Sequence, residues 1–138
     1  MKRNQKGFTL IELLAVIVIL AVIALIATPL IMNVINDAKH GANRDAAYGV
    51  VKAVETSAMQ KMALDPTFAV PAECTLNGDK CEWGDSEPKE SLAVDFKGTK
   101  PTSATIKFDT SKGSVADGTV VTFGADSFTM SDGIFPAE

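Results

Sequence analysis

The sequence predicts an α+β fold, a long N-terminal helix laid on a small antiparallel β-sheet. Three observations predict it. An apolar run from Phe8 to Met32 is interrupted only by Thr9, Glu12, Thr28 and Pro29. From Asn33 to about Leu64 apolar residues keep helical spacing, and no proline falls between Pro29 and Pro66. From Asp65 to Glu138 the chain turns rich in Gly, Pro, Ser, Thr and Asp, and apolar residues alternate.

The chain opens on "MKRNQKG", residues 1–7, with Lys2, Arg3 and Lys6 and no acid. The 25 residues from Phe8 to Met32 would measure roughly 37 Å as a helix, enough to cross a hydrocarbon core of about 30 Å. Basic residues before such a span keep the N-terminus cytoplasmic and send the rest of the chain outside. The run is too long for the apolar region of an ordinary secretory signal, and no small-x-small cleavage site closes it. It reads as an uncleaved signal anchor.

Ile35, Ala38, Ala42, Ala46, Val50, Ala53 and Val54 mark one helical face in residues 33–64, and charged residues take most of the others. The two halves read as one helix from near Phe8 to near Leu64. Gly41 and Gly49 each cost about 1 kcal/mol relative to Ala there. Only packing against a partner surface would hold so long a helix outside a membrane.

Alternation then predicts three or four strands. Leu92, Val94 and Phe96 share a face, as do Ile106 and Phe108; Val121, Phe123, Phe128 and Met130 follow. So small a sheet needs a cover, and the amphipathic helix supplies it. Cys74 and Cys81 are the two cysteines, and both fall on the expected outside. An oxidising compartment predicts a disulfide between them, closing a loop that turns at Asn77-Gly78.

The formal net charge is −4. Removing residues 1–7 takes away three cations, so −4 less 3 leaves −7. An acidic head gives no bulk attraction for nucleic acid, and no specific nucleic-acid partner is expected.

Glu12 is the anomaly. A carboxylate at the centre of a membrane helix costs about 2.5–3.5 kcal/mol. The residues leave three roles open. Thr9-x-x-Glu12 has capping-box spacing, so Glu12 can satisfy free N–H groups at the helix start. It can pair with a positive group of a neighbouring chain. It can simply reach the headgroups.

Lys6-Gly7, Phe8, Thr9-Leu10-Ile11-Glu12 and the apolar run that follows resemble the N-terminus of type IV pilin precursors and the related pseudopilins. The wording of residues 7–38 is most similar to prepilins of Gram-positive bacteria. The resemblance implies the type IV pilin fold and a cut after Gly7 by a membrane-embedded prepilin peptidase that also N-methylates Phe8. It implies assembly through Phe8 and Glu12, the latter fifth after the cut. It implies a helix break at Pro29. The chain then divides into a basic leader (1–7), an apolar transmembrane and filament-core segment (8–32) and an exported head (33–138).

The implied function is structural, not enzymatic: a homopolymeric filament subunit, the major pilin of a type IV pilus. Its partners would be the peptidase, the assembly machinery and membrane lipid before assembly. It would begin as a single-pass membrane protein and end in an extracellular filament. Adhesion, surface motility, biofilm formation and DNA uptake are the implied roles. A minor pilin or a secretion or competence pseudopilin is the alternative within the family, and a monomeric anchored binding module the alternative outside it.

Other candidate sites are weaker. His40, the one histidine, lies beside Lys39 and reads as solvated. Asp79, Glu82, Asp85, Glu87 and Glu90 lack the spacing of an EF-hand loop and read as a solvated acidic loop, as do Asp117, Asp126 and Asp132. Trp83 is expected to pack on the disulfide loop. Two cysteines and a remote histidine are too few for a zinc site. No metal, cofactor or catalytic residue is expected.

Overall fold

The computed structural model describes residues 6–137. Lys2 and Arg3 of the expected leader lie outside the described residues. The chain divides into two compact units, Met1–Lys39 and His40–Glu138.

Helix α1 spans Leu10–Leu64, close to the expected limits. It stops where the sequence says it should. Lys61 lies in the last turn, the Asp65 N–H closes on the Lys61 carbonyl at 2.9 Å, and Pro66 cannot continue the ladder.

In the second unit the buried helix positions are Ala47, Val50, Val51, Val54 and Ala58. Val50 and Val54 of the expected face are among them, and the rest of that face is corrected. Ala38 and Ala42 are exposed and Ile35 is 40% exposed, while Ala46 and Ala53 only flank the core. The sheet selects a stripe rotated from the one that spacing alone suggested, because small residues satisfied the period on several faces.

The sheet has seven strands rather than three or four: β1 (Glu73–Asn77), β2 (Lys80–Trp83), β3 (Glu90–Ala93), β4 (Ser103–Asp109), β5 (Ser114–Val115), β6 (Val120–Phe123) and β7 (Asp126–Thr129). Their order is β3-β2-β1-β4-β6-β7, with β5 also on β4, and all pairs are antiparallel.

Register explains the core. Leu92, Cys81, Leu76, Ala104, Val121 and Phe128 are successive cross-strand partners from one edge to the other. All six are buried. A slip of one residue would turn a strand's contribution to this row outward, so the row fixes the pairing. Fully burying an aliphatic or Phe side chain contributes about 1.5–3 kcal/mol.

Two hairpins use the same turn chemistry. Gly78 (φ 62°) and Gly124 (φ 61°) take the first central position of two-residue loops, where a positive φ matches the strand twist and suits glycine.

The cysteines form the expected disulfide, with Cα atoms 5.5 Å apart. It does not pinch an exposed loop. Both residues are buried on the inner face of the β1–β2 hairpin, linked diagonally across it.

Thr119 is a buried polar residue, and its hydroxyl is satisfied. It accepts the Lys107 N–H at 3.0 Å and donates to the Ala116 carbonyl at 2.9 Å. Glu55 on α1 accepts the Val115 N–H at 2.8 Å, tying the helix to β5. At the C-terminus the Tyr48 hydroxyl accepts the Phe135 N–H at 2.8 Å, and the two rings stand edge to face 5.0 Å apart.

Candidate functional site: the processing and assembly segment

Gly7, Phe8 and Thr9 precede the helix and are exposed, Phe8 at 85%. The helix begins with a reciprocal pair of hydrogen bonds. The Thr9 N–H donates to Glu12 Oε2 at 2.9 Å, and the Glu12 N–H donates to Thr9 Oγ1 at 3.3 Å. This is the capping box that the spacing suggested. It places a negative group at the positive end of the helix. Glu12 therefore has a local role, and Glu12 Oε1 makes no hydrogen bond among the described residues.

Phe8 and Glu12 lie one turn apart, but the box joins Glu12 to Thr9 rather than to Phe8. Leu10, Ile11, Leu13 and Leu14 are more than half exposed, as are most apolar residues on to Met32. An 18-residue window of this helix is long and apolar enough to cross a membrane, and none of it is buried within the chain.

Pro29 lies inside α1, which continues through it. The expected break is absent from this conformation. The proline still lacks an N–H for the Leu25 carbonyl. The Thr28 hydroxyl donates to the Ala24 carbonyl at 2.7 Å, a contact that often bends helices.

In the second unit, His40 is not free in solvent as expected. Its Nδ1 lies 3.3 Å from Asp126 Oδ1, and its ring lies 5.0 Å from Phe128. Asn43 Nδ2 donates to Asp126 Oδ2 at 2.6 Å. These contacts hold the Asp126 carboxyl below its usual range, the Asn43 hydrogen bond contributing most and His40 next. Asp126 is thus a structural tie rather than a solvated acid. Asp117 likewise accepts the Gly133 N–H at 2.8 Å, and Asp79 pairs with Lys100.

Trp83 donates from Nε1 to Glu90 at 2.6 Å, and its ring stands edge to face with Phe68, 6.1 Å away. Among the described residues no group of three or more His, Cys, Asp or Glu side chains could hold a metal ion.

Residues 2–28 match the family model of the prokaryotic N-terminal methylation motif. Comparison with curated proteins and with solved structures returns no match. The matched segment takes in the cap, Glu12 and most of the exposed apolar helix, and the helix lies on a small antiparallel sheet as in the type IV pilin fold. An N-terminal methylation motif on an exposed apolar helix is what these features define. Over residues 2–28 the chain is similar to the N-terminal segment of type IV prepilin-like proteins. The motif implies processing by a prepilin peptidase and assembly into pilus-type filaments, and the apolar helix is consistent with membrane anchoring before assembly.

Proposed function

We propose that the chain is the major pilin of a type IV pilus. It is cut after Gly7, N-methylated at Phe8 and polymerised through its N-terminal helix. Residues 1–7 are the leader, 8–32 the membrane and filament-core segment, and 33–138 the head. The observation that carries this reading is the methylation motif over residues 2–28, coinciding with an apolar helix that the chain itself leaves exposed.

The chemistry supports it. Cleavage creates a positive amine on Phe8, and methylation of that amine keeps the charge. A neighbour's Glu12 is a partner for it. Two unit charges 4 Å apart attract by roughly 4 kcal/mol at an effective dielectric of 20, before desolvation is subtracted. Glu12 is least costly near the headgroups and gains most when paired in a packed core, a difference that favours extraction from the lipid and fixes subunit register. Pro29 is the point where the helix opens when helices bundle. The filament serves adhesion, surface motility, biofilm formation or DNA uptake.

The test is mass spectrometry of filaments sheared from cells. The expected dominant species has a methylated peptide beginning at Phe8. A scarce species in filaments built mostly of another subunit would point to a minor pilin or pseudopilin. An intact Met1 confined to membranes would refute polymerisation. Glu12→Ala is expected to be cleaved, to stay in the membrane and to assemble poorly; a normal filament yield would remove the pairing role.

A further inference from the structure

We infer that the head carries a socket for the acidic β2–β3 loop of a second copy, so that heads join head to tail. This rests on the polymer reading above and names the head contact within it.

The socket is a groove of about 440 Å³ between α1 and the chain that follows β3. Gly49, Val50, Ala53 and the half-buried Phe96 give it an apolar floor, and Lys52 and Lys97 stand on its edge. Asp95 also lines it, leaving a net charge of +1. Among the described residues neither lysine has an ion-pair partner.

Gly49 lines the groove without a side chain. Glycine costs about 1 kcal/mol relative to alanine in a helix interior. A Cβ there would meet nothing within 4 Å, so packing within the chain does not require the glycine.

The loop "GDSEPK", Gly84–Lys89, is exposed throughout. Asp85 and Glu87 have no ion-pair partner among the described residues, and with Lys89 the loop carries −1. Pro88 offers apolar surface for the floor. Loop and groove fall at opposite ends of β3 (Glu90–Ala93). Two different complementary patches on one chain make a heterologous contact, which gives a ring or an open helical filament rather than a two-fold pair. Opposite charges at the rim steer and register such a contact.

The experiment uses the full-length chain and measures sheared filaments by quantitative immunoblot. Lys52→Glu with Lys97→Glu is expected to lower filament yield about tenfold, and Asp85→Lys with Glu87→Lys likewise. All four together should restore yield to within about twofold of wild type. Gly49→Met, which fills the socket, should lower yield without lowering the melting temperature of the head. Lys97→Cys with Glu87→Cys in one chain should give an oxidative ladder of covalent multimers.

Wild-type yield from either charge-reversed pair, no rescue in the combination, or a ladder that stops at the dimer would overturn the assignment. Glu12→Ala separates the two readings. If it abolishes filaments while the groove variants assemble normally, only the socket is wrong. If it assembles normally, only the Glu12 pairing role fails, and the groove variants still decide the socket.

Discussion

At the scale of single residues, the chain reuses a few short polar contacts where apolar packing cannot act. Asp126 shows this best, held by Asn43 and His40 of the helix. Its folded-state pKa is lowered from an unfolded value of about 3.9. A lowered carboxyl pKa gives stability that is present above the unfolded value and lost as pH falls through the folded one. Asp65 and Asp109, lowered by hydrogen bonds from Thr67 and Ser111, act in the same direction. Melts of the full chain in detergent from pH 7 down to pH 2 should therefore show an acid limb below about pH 4. Asp126→Asn should flatten that limb, and Asp65→Asn and Asp109→Asn should flatten what remains. The tie was illegible in the sequence because Asn43 and Asp126 are 83 residues apart. Thr9 and Glu12 are three apart, and the capping spacing could be read directly.

At the scale of elements, long patterns were legible and short ones were not. The helix limits followed from an unbroken apolar period and from Pro66. The inward residues of β4, β6 and β7 followed from alternation. Strands β1 and β2 hid behind their cysteines, since "ECTLN" and "KCEW" alternate too briefly to separate from a loop. Strand β5 is two residues long and has no pattern to find. The valines of the expected helix face, Val50 and Val54, are in the core, but its alanines were misplaced because alanines recur on several sides and a methyl group marks a core position weakly. The disulfide crosses a hairpin that the sheet already holds, so it stabilises by restricting the unfolded chain. A link spanning seven residues contributes about 2–3 kcal/mol on the loop-entropy estimate. Denaturant titration of a Cys74→Ser, Cys81→Ser variant should show a loss of at least that size, because two buried positions also become polar.

At the scale of the whole molecule, the two units answer to different solvents. Seventeen Leu, Ile, Val, Phe and Met side chains between Phe8 and Met32 favour insertion by roughly 5–10 kcal/mol, using about 0.3–0.6 for each. One carboxylate costs about 3 kcal/mol at the bilayer centre and less at a helix end, so Glu12 does not prevent anchoring. Unassembled chain should remain in the membrane pellet after alkaline carbonate washing, and recovery in the supernatant would contradict an integral anchor. The second unit has its own core, and its acidity suits exposure to water. What the sequence left unread at this scale is the sheet order, since the β1–β4 pairing joins strands separated by two others in the chain.

The position of the first helical turn has a consequence for maturation. The turn closes from the Leu13 N–H to the Thr9 carbonyl, beyond the Gly7–Phe8 bond. Under the proposed cut after Gly7, the scissile peptide is presented in open, non-helical backbone, and its hydrolysis breaks no hydrogen bond of the helix. Maturation can proceed on an already folded substrate, with no unfolding step to slow the protease. Precursor and product should then give the same circular dichroism and the same head stability, differing only in mass and in the charge at one end.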